Sequence, residues 1–498
     1  MYHGFLLVWR WKRFDHELQR ISEIMKKRFW LRVAEALIFV LLLAAVVVLV
    51  TDVLTLKKSR NLLGGYLEEP ENYDVLFFGD SKFVAGMVPM ELWEDYGIAG
   101  YNLSSHSCLM PVSYWSLINA LDYGTPKLAV FATNGFTPEK KVSNYSPDVH
   151  TEIDFWPLTI NKVRMINDVM THPEDPDYAD AEGDRYRDLK WEYFFPIGKY
   201  HSRWKELREE DFTKRPQYIK GGELLVGIES IWEYTLTDEE DYAEEVGYAF
   251  EYMRMAIEEC QRRGIEVLML HLPSPIRINS QRYANTARSI ASEYGVNFVD
   301  TTLMDSIVDY AVDCFDVDPH LNVSGAMKLT SYLGSYINDH YDLPDRRGEA
   351  NYAHWDDLLK AHKDEKMRLL GDQENLNIIL MLLHDLDYDI DLFLGPDAPI
   401  WYDELGILLM HNIARERVLA GEEYDKYSNF MFPLEGFDQA LNDYASYYLS
   451  REGGVWQECT GETAEKAAAE AFGEAPEAGI VIEVRDARNG EVVMMLKL

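Results

Sequence analysis

The chain has 498 residues and a formal net charge of −37, with 85 Asp and Glu against 48 Lys and Arg. So acidic a surface repels the phosphates of nucleic acid and disfavours adsorption to anionic lipid headgroups, so we expect no nucleic-acid partner and a neutral or cationic substrate such as a glycan or an acyl donor. Four widely spaced cysteines without a CxxC pair, and 13 His without an HExxH motif, predict no metal site and no cofactor.

The amino-terminal region predicts attachment to a membrane. Residues 33–56 form a nearly continuous apolar segment, and about 20 apolar residues suffice to cross a bilayer. Residues 1–32 carry eight Lys and Arg against three acids, so the positive-inside rule places this tail in the cytoplasm and everything after the segment outside. The alternative is a cleaved signal peptide, whose apolar core would be shorter. The sequence therefore predicts a single-pass protein of the cell membrane with an extracytoplasmic domain.

A buried strand ending in Gly-Asp-Ser follows the membrane segment. The apolar run Val75–Phe78 reads as the strand, and Gly79 allows the sharp turn that places Ser81 at its carboxyl end. Open α/β sheets build their sites at that edge, so Ser81 is a candidate nucleophile. An ordinary turn is the alternative interpretation of the tripeptide.

Strands and helices alternate along the rest of this half of the chain. Apolar runs predict strands, and longer amphipathic stretches between them predict helices. The predicted strands are Tyr101–Leu103, Leu128–Ala132, Ile265–Leu272 and Val296–Asp300, and the predicted helices are Val112–Asp122, a helix opened by the capping box Thr237–Glu240 and closed at Gly264, Ser280–Tyr294 and Ser324–Asp339. This order predicts an α/β domain over residues 57–345 with a parallel sheet between helices.

A long interruption separates the third predicted strand from the helix that follows it. Residues 137–236 are too many for an ordinary loop, so we expect a cap over the strand ends. The segment is rich in aromatics, which either stack on sugar rings or simply hold a small cap together.

A second polar block lies far downstream, in Asp316-Val-Asp318-Pro-His320. A serine hydroxyl is a poor nucleophile unless an imidazole accepts its proton, and that imidazole needs a carboxylate to fix its tautomer. Ser81, His320 and one of the two aspartates supply these three groups. The alternative is that His320 caps the next helix and the aspartates are solvated.

These two blocks resemble those of the SGNH (GDSL-type) hydrolase superfamily over roughly residues 73–339. The resemblance implies a three-layer α/β sandwich with Ser81 as nucleophile and His320 as general base. The common family spacing is Asp-x-x-His, whereas related polysaccharide acetyltransferases of the alginate type use Asp-x-His. We therefore expect Asp318 to be the acid, with Asp316 as the alternative.

The resemblance also implies an oxyanion hole. Family members hold the oxyanion with the amide of the serine, a Gly of a second block and an Asn of a third. Here Asn134 matches the Asn, but the second block, Tyr101–His106, has no Gly. The expected donors are therefore Ser81, Asn134 and an amide near Ser105, and the alternative role of Asn134 is that of a turn residue.

The composition changes near residue 346, where we expect a smaller α/β accessory domain over 346–498. Its predicted parts are a helix at Leu376–His384, a strand at Tyr388–Leu394, a helix at Ala464–Phe472, and a hairpin of Ile480–Val484 with Val492–Leu496. Asn489-Gly490 between the last two runs is typical of a type I′ turn. No catalytic motif lies here, so the domain is expected to bind a partner or a glycan.

The leading interpretation is a membrane-anchored serine esterase or O-acyltransferase that modifies cell-envelope polysaccharide through an acyl-serine. Its architecture resembles that of the D-alanyl transfer protein, and the run Tyr200–Trp204 resembles one in SGNH proteins that work with a multipass membrane-bound O-acyltransferase. The alternative is a degenerate SGNH scaffold that binds glycan or such a partner without chemistry. A structural assembly factor is the third possibility.

Overall fold

The structure is a computed structural model. It describes residues 2–55, 62–135, 146–170, 190–212, 217–229, 231, 241–243, 249–274, 278–302, 307–308, 310, 313–371, 388–398, 439–440, 443–453, 455–474, 476, 479–487 and 489–497. The chain forms two compact units, one of residues 1–57 with 191–214 and the other of residues 58–190 with 215–498.

The helices and strands follow one another as an α/β chain. In order, they are α1 Tyr2–Leu54, β1 Val75–Phe78, α2 Ser81–Gly86, α3 Pro89–Tyr96, β2 Gly100–Asn102, α4 Met110–Ala120, β3 Leu128–Ala132, α5 Ser146–Ile153, α6 Ile160–Val169, α7 Lys190–Phe194, α8 Ile197–Tyr200, α9 Ala249–Arg263, β4 Glu266–His271, α10 Ile278–Glu293, β5 Asn297–Asp300, α11 Val323–His340, α12 Ala353–Gly371, β6 Tyr388–Leu394, β7 Tyr447–Glu452, β8 Val455–Thr460, α13 Gly461–Phe472, β9 Ile480–Asp486 and β10 Val492–Lys497.

The first five strands form the predicted parallel sheet. Its order is β2-β1-β3-β4-β5, and every neighbouring pair is parallel. All four residues of β1 and all five of β3 are buried, as expected for strands covered on both faces. Alternate residues such as Val75 and Phe77 join one apolar cluster with the helices α2, α3 and α11. The α/β class and the strands predicted from the apolar runs are thus confirmed.

The smaller unit is built around α1. This helix has 53 residues, and its part from Met25 to Leu54 is long and apolar enough to cross a membrane and is exposed along most of its length. The short helices α7 and α8 and two 3₁₀ helices, His201–Lys205 and Glu209–Phe212, belong to residues 190–212. The predicted apolar helix is confirmed.

The carboxyl-terminal strands form a second sheet, which is antiparallel and has the order β10-β9-β6-β7-β8. The predicted hairpin of β9 and β10 is present, but its turn is not type I′. Only Gly490 of the predicted pair has a positive φ, 73°, and the loop closes through the bond from its amide to Asp486 O, 2.8 Å. A type I′ turn needs a positive φ at both central residues, so the five-residue connection replaces it.

Three sequence predictions fall partly or wholly outside the described residues. The capping box Thr237–Glu240 and the helix Leu376–His384 lie there, and so do several parts of the expected cap at 137–236. The described end of the capped helix, α9, is closed by Gly264, which has the expected left-handed φ of 72°.

An extended segment of the larger unit contacts both α2 and the start of α11. We call residues 222–229 the strap. The amide of Glu223 donates to Val84 O on α2 at 2.9 Å, and Leu225 O accepts from the amide of Val323 at 2.9 Å. Farther on, Glu229 donates from its amide to Cys314 O at 2.8 Å. The strap therefore joins the helix that begins with Ser81 to the start of α11.

Candidate active site

Ser81 is the first residue of α2, directly after the turn that ends β1. Asp80 caps this helix, because its carboxylate accepts a hydrogen bond from the amide of Lys82 at 3.1 Å. A Cβ on Gly79 would lie 2.6 Å from Cβ of Ala132 on the neighbouring strand β3, so only glycine fits there. The strand end and the cap together fix the position of the serine at the carboxyl edge of the sheet.

His320 and Asp316, the candidate base and acid, lie on one tight loop before α11, which we call the acid–base loop. Cys314 and Leu321 form an isolated antiparallel bridge, and the amide of Phe315 donates to His320 O at 2.7 Å. This closure brings Asp316 and His320 face to face across the loop. Their separation of four residues is therefore a product of the loop closure and not of a helix.

A second set of contacts anchors this loop to α11. The ammonium of Lys328 contacts both carboxylate oxygens of Asp313, at 2.8 and 3.0 Å, and the hydroxyl of Ser324 donates to the same carboxylate at 2.7 Å. Lys328 and Asp313 are almost fully buried. A buried ion pair with these extra hydrogen bonds is strongly directional, so it fixes where the loop starts.

Ser81, His320 and Asp316 form a continuous hydrogen-bonded relay. The hydroxyl of Ser81 lies 2.7 Å from Nε2 of His320, and Nδ1 of the same ring lies 2.8 Å from Oδ2 of Asp316. Burial raises the pKa of the Asp316 carboxyl, but the hydrogen bonds from the His320 side chain and amide outweigh it and hold the pKa below the usual value. The acid is therefore ionised at neutral pH, as the relay requires.

The expectation that Asp318 lies behind the imidazole is wrong in the structure. Its side chain is exposed, its amide donates to Oδ1 of Asp316 at 3.0 Å, and its carbonyl accepts from Nζ of Lys82 at 3.2 Å. Oδ1 of Asp316 also accepts from the amide of His320 at 3.2 Å. Asp316 thus organises the loop as an Asx-type turn that directs its second oxygen to the ring, and Asp318 lies at the tip of that turn.

Two of the three expected oxyanion donors are engaged elsewhere. The amide of Ser105 donates to Gly79 O at 3.1 Å, and its hydroxyl lies 3.1 Å from that of Thr151. The side chain of Asn134 exchanges two bonds with the main chain of Leu272, donating to its oxygen at 3.1 Å and accepting from its amide at 2.8 Å. Asn134 therefore ties the end of β3 to the end of β4.

The turn after β2 contains an unusual backbone conformation. Ser107 has a φ of 57°, which few non-glycine residues adopt, and the turn is closed by a bond from the amide of Cys108 to Ser105 O at 3.3 Å. Such positions are retained where the surrounding structure imposes them, and they concentrate at functional sites. The sequence gives no sign of this conformation, because no glycine marks it.

Lys82 is a further residue of the site that motif reasoning missed. Its ammonium lies 3.4 Å from the hydroxyl of Ser274 and 3.2 Å from Asp318 O. It thus connects the start of α2, directly after Ser81, to the tip of the acid–base loop. Its position directly after Ser81 was the available signal.

Two buried groups near the sheet edge carry perturbed pKa values. Burial lowers the pKa of His271, at the end of β4, and its Nδ1 lies 2.9 Å from the hydroxyl of Thr133. Burial raises the pKa of the Cys108 thiol, and the carboxylate of Glu152, 3.1 Å from the sulfur, raises it further. Both groups are uncharged at neutral pH.

The described residues contain no group of three or more His, Cys, Asp or Glu placed to hold a metal ion, and the four cysteines, all of which are described, form no disulfide with one another. No protein-family model matches the chain, and no curated protein matches its sequence.

Proposed function

We propose that the protein is a serine-dependent acyl-transfer enzyme of the SGNH type, an esterase or O-acyltransferase that forms an acyl-Ser81 intermediate. The observation that carries the proposal is the relay of Ser81, His320 and Asp316, with links of 2.7 and 2.8 Å. Residues 239 positions apart in sequence meet in this relay at the carboxyl edge of a parallel sheet. Sites of open α/β sheets are formed at that edge.

In the first half-reaction, the oxygen of Ser81 attacks the carbonyl carbon of an acyl ester. Nε2 of His320 takes the hydroxyl proton as the new C–O bond forms, and Asp316 stabilises the imidazolium through Nδ1. The tetrahedral intermediate then breaks its bond to the alcohol, which leaves with the proton from Nε2. The amide of Ser81, in the first turn of α2, is a candidate donor to the oxyanion.

In the second half-reaction, His320 removes a proton from water or from a sugar hydroxyl, whose oxygen attacks the acyl-serine. The acyl group leaves Ser81, and Nε2 returns the proton to the serine oxygen. Water gives an esterase, and a hydroxyl of envelope polysaccharide gives an O-acyltransferase. The acidic character of the chain favours a neutral acceptor such as a glycan.

We further propose that α1 anchors the protein in the cell membrane with its amino terminus in the cytoplasm. Support comes from the exposed apolar part of α1, which ends at Leu54, and from the excess of basic over acidic residues in residues 1–32. A multipass membrane-bound O-acyltransferase is the proposed partner that would deliver the acyl donor. Protease added to intact cells should then remove the larger unit, and its protection until lysis would reverse the orientation.

A fluorophosphonate probe tests the catalytic proposal directly, because it reacts only with an activated serine. We expect the full chain in detergent to be labelled and Ser81→Ala to be unlabelled while it retains its folded circular-dichroism spectrum. Ser292→Ala is the matched control, because Ser292 is an exposed serine on α10, and its labelling should equal that of the wild type. A wild-type chain that neither takes the label nor hydrolyses p-nitrophenyl esters would rule out the enzyme.

The second candidate function is a binding scaffold without chemistry. The observation that favours it is the engagement of the Ser105 amide and the Asn134 side chain in bonds to the main chain. An oxyanion hole that lacks donors would leave the relay with little catalytic power. Cells that carry Ser81→Ala would then keep normal envelope acylation, whereas the enzyme predicts that they lose it.

A further inference from the structure

Residues 191–212 pack against the end of the apolar helix, and we call this segment the collar. The guanidinium of Arg203 donates to the carbonyl oxygen of Leu54 and forms an ion pair with Asp211 at 2.8 Å. Carbonyls in the last turn of a helix have no partner within the helix, so an Arg that reaches them fixes the segment to the helix end. Leu54 and Thr55 are buried, in contrast to most of the helix before them.

The collar presents large apolar side chains to the outside. Trp191, Phe195, Trp204 and Phe212 are exposed by 49, 59, 64 and 66%. Four such residues within 22 positions are more than the scattered exposed apolar residues of a soluble surface. Trp in particular is enriched where a membrane protein meets the headgroup layer, since its ring is apolar and its N–H is polar.

The charge of the collar differs from that of the chain. It has four basic and five acidic residues, in a chain with a net charge of −37. The acidic excess that repels phosphate elsewhere is therefore almost absent here. Lys199 and Lys205 carry long apolar stems, which allow an ammonium to reach lipid phosphates while the stem stays in apolar surroundings.

The length of the apolar helix gives independent support. A hydrocarbon layer of about 30 Å is spanned by about 20 helical residues. Counting back about 20 residues from Leu54, where the collar is attached, reaches Glu35. The basic residues Lys27, Arg28 and Arg32 come directly before it, where inner headgroups would lie. The collar and the basic residues are thus spaced as the two boundaries of one bilayer would be.

We propose that the collar lies in the outer headgroup layer, with Trp191, Phe195 and Trp204 inserted among the lipids. This inference rests on the proposed anchoring of α1 in a membrane. The collar packs on the exposed apolar helix, so the bilayer that surrounds the helix is the occupant that its exposed aromatic side chains would meet. The collar fixes the depth of the anchor at Leu54.

Depth-dependent fluorescence quenching tests the placement. The full chain, with Cys459→Ser to remove the one cysteine that is not buried, is labelled with the fluorophore NBD at Phe195→Cys or Trp204→Cys. Ile160→Cys is the matched control, because Ile160 is an apolar residue of the larger unit that is exposed by 73%. Leu43→Cys reports the middle of the apolar helix.

Each labelled chain is reconstituted into phosphatidylcholine vesicles that carry a nitroxide at acyl carbon 5 or 12. We expect the carbon-5 lipid to quench NBD at 195 and 204 several-fold more than at 160, and the carbon-12 lipid to quench it most at 43. Quenching at 43 without quenching at 195 and 204 would overturn the collar and leave the anchor intact. Absence of quenching at 43 would remove the anchor and the collar together.

Labelling in native membranes distinguishes lipid from a protein cover. If NBD at 195 and 204 is accessible to water in vesicles but shielded in native membranes, a partner protein covers the collar, and the lipid placement is wrong. The four labelled positions are exposed, and Cys459→Ser is a near-isosteric change at a partly buried position, so the variants are expected to fold. Size-exclusion chromatography checks this.

Discussion

Replacement of Asp316 by asparagine tests the relay most sharply. The carboxylate accepts three hydrogen bonds, two at Oδ1 from the amides of Asp318 and His320 and one at Oδ2 from the imidazole. Asparagine has only one accepting oxygen. We expect this oxygen to stay at the position of Oδ1, where it accepts from the amides of Asp318 and His320, because the NH₂ group cannot accept these bonds.

The NH₂ group of the variant then faces Nδ1 of His320 and donates to it. The imidazole proton is thereby placed on Nε2, which points to the Ser81 oxygen at 2.7 Å. In this tautomer the ring cannot accept the serine proton. The wrong tautomer, together with the lost negative charge, should lower kcat by about 10⁴-fold, or about 5.5 kcal/mol of transition-state stabilisation.

Asp318→Asn is the matched control, because it removes an exposed carboxylate two residues away on the same loop. An exposed charge of this kind contributes at most about 1 kcal/mol, so we expect less than about a fivefold change in rate. The assay is hydrolysis of p-nitrophenyl acetate by the full chain in detergent, with the rate of fluorophosphonate labelling as a second readout. Near-normal activity of Asp316→Asn, or a larger loss in Asp318→Asn, would refute the assignment of the acid.

The pH dependence of the free energy of unfolding tests the same substitution without any substrate. The pKa of Asp316 is held below its usual value in the folded state, so its carboxylate stabilises the fold above the unfolded pKa. That stabilisation is lost as the pH falls through the folded pKa. The stability advantage of the wild type over Asp316→Asn should therefore shrink on acidification from neutral pH, and an advantage that grows would contradict the sign.

Two further substitutions probe the support of the site. Gly79→Ala would place a Cβ 2.6 Å from that of Ala132, so we expect the free energy of unfolding to fall by about 1–3 kcal/mol, measured by thermal unfolding. The same clash should displace Ser81 and slow its labelling by the fluorophosphonate. Unchanged labelling would contradict the close packing. Lys328→Met removes the buried ammonium from the Asp313 carboxylate, so we expect the free energy of unfolding in urea to fall by about 3–5 kcal/mol. A change under about 1 kcal/mol would show that the pair is not a structural anchor.

The sheet and the position of Ser81 could be predicted because their signals are local. Val75–Phe78 is apolar throughout since both faces of its strand are buried, and Gly79 marks a turn in which no side chain fits. The spacing of apolar residues along the sequence indicates which faces of a helix or strand are buried. The position of Ser81 follows from the strand end, without knowledge of any distant residue.

The acid could not be chosen from sequence, because its position depends on how the loop closes. Spacing alone made Asp318 and Asp316 comparable, and the Asp-x-His analogy favoured Asp318, whereas it is Asp316 that contacts the imidazole. The deciding contacts are the bridge of Cys314 with Leu321 and the bond from Phe315 to the His320 oxygen. Neither contact can be inferred from the types of the residues that form it. The contacts of Asn134 and Ser105 could not be predicted for the same reason. Each residue bonds to the end of a neighbouring strand, Asn134 to Leu272 and Ser105 to Gly79, and residue type does not reveal which strands are neighbours.

The strap had no sequence signal at all, yet it explains how distant parts of the relay stay in register. A catalytic constellation must be held within about 0.5 Å, and loops are poor at this unless a second layer supports them. The strap bonds to Val84 on α2, the helix that begins with Ser81, and to Cys314 at the start of the acid–base loop.

The carboxyl-terminal sheet in turn covers the strap. Leu224, Val226 and Ile228 pack with the core of that sheet, and Val323 and Met327 of α11 belong to the same apolar cluster. These contacts bury the face of α11 that follows directly after the acid–base loop. Removal of the sheet would therefore expose the strap and the start of α11 to water and loosen the hold on His320. This gives the carboxyl-terminal strands a physical role in the geometry of the relay, whether or not they also bind a partner or a glycan.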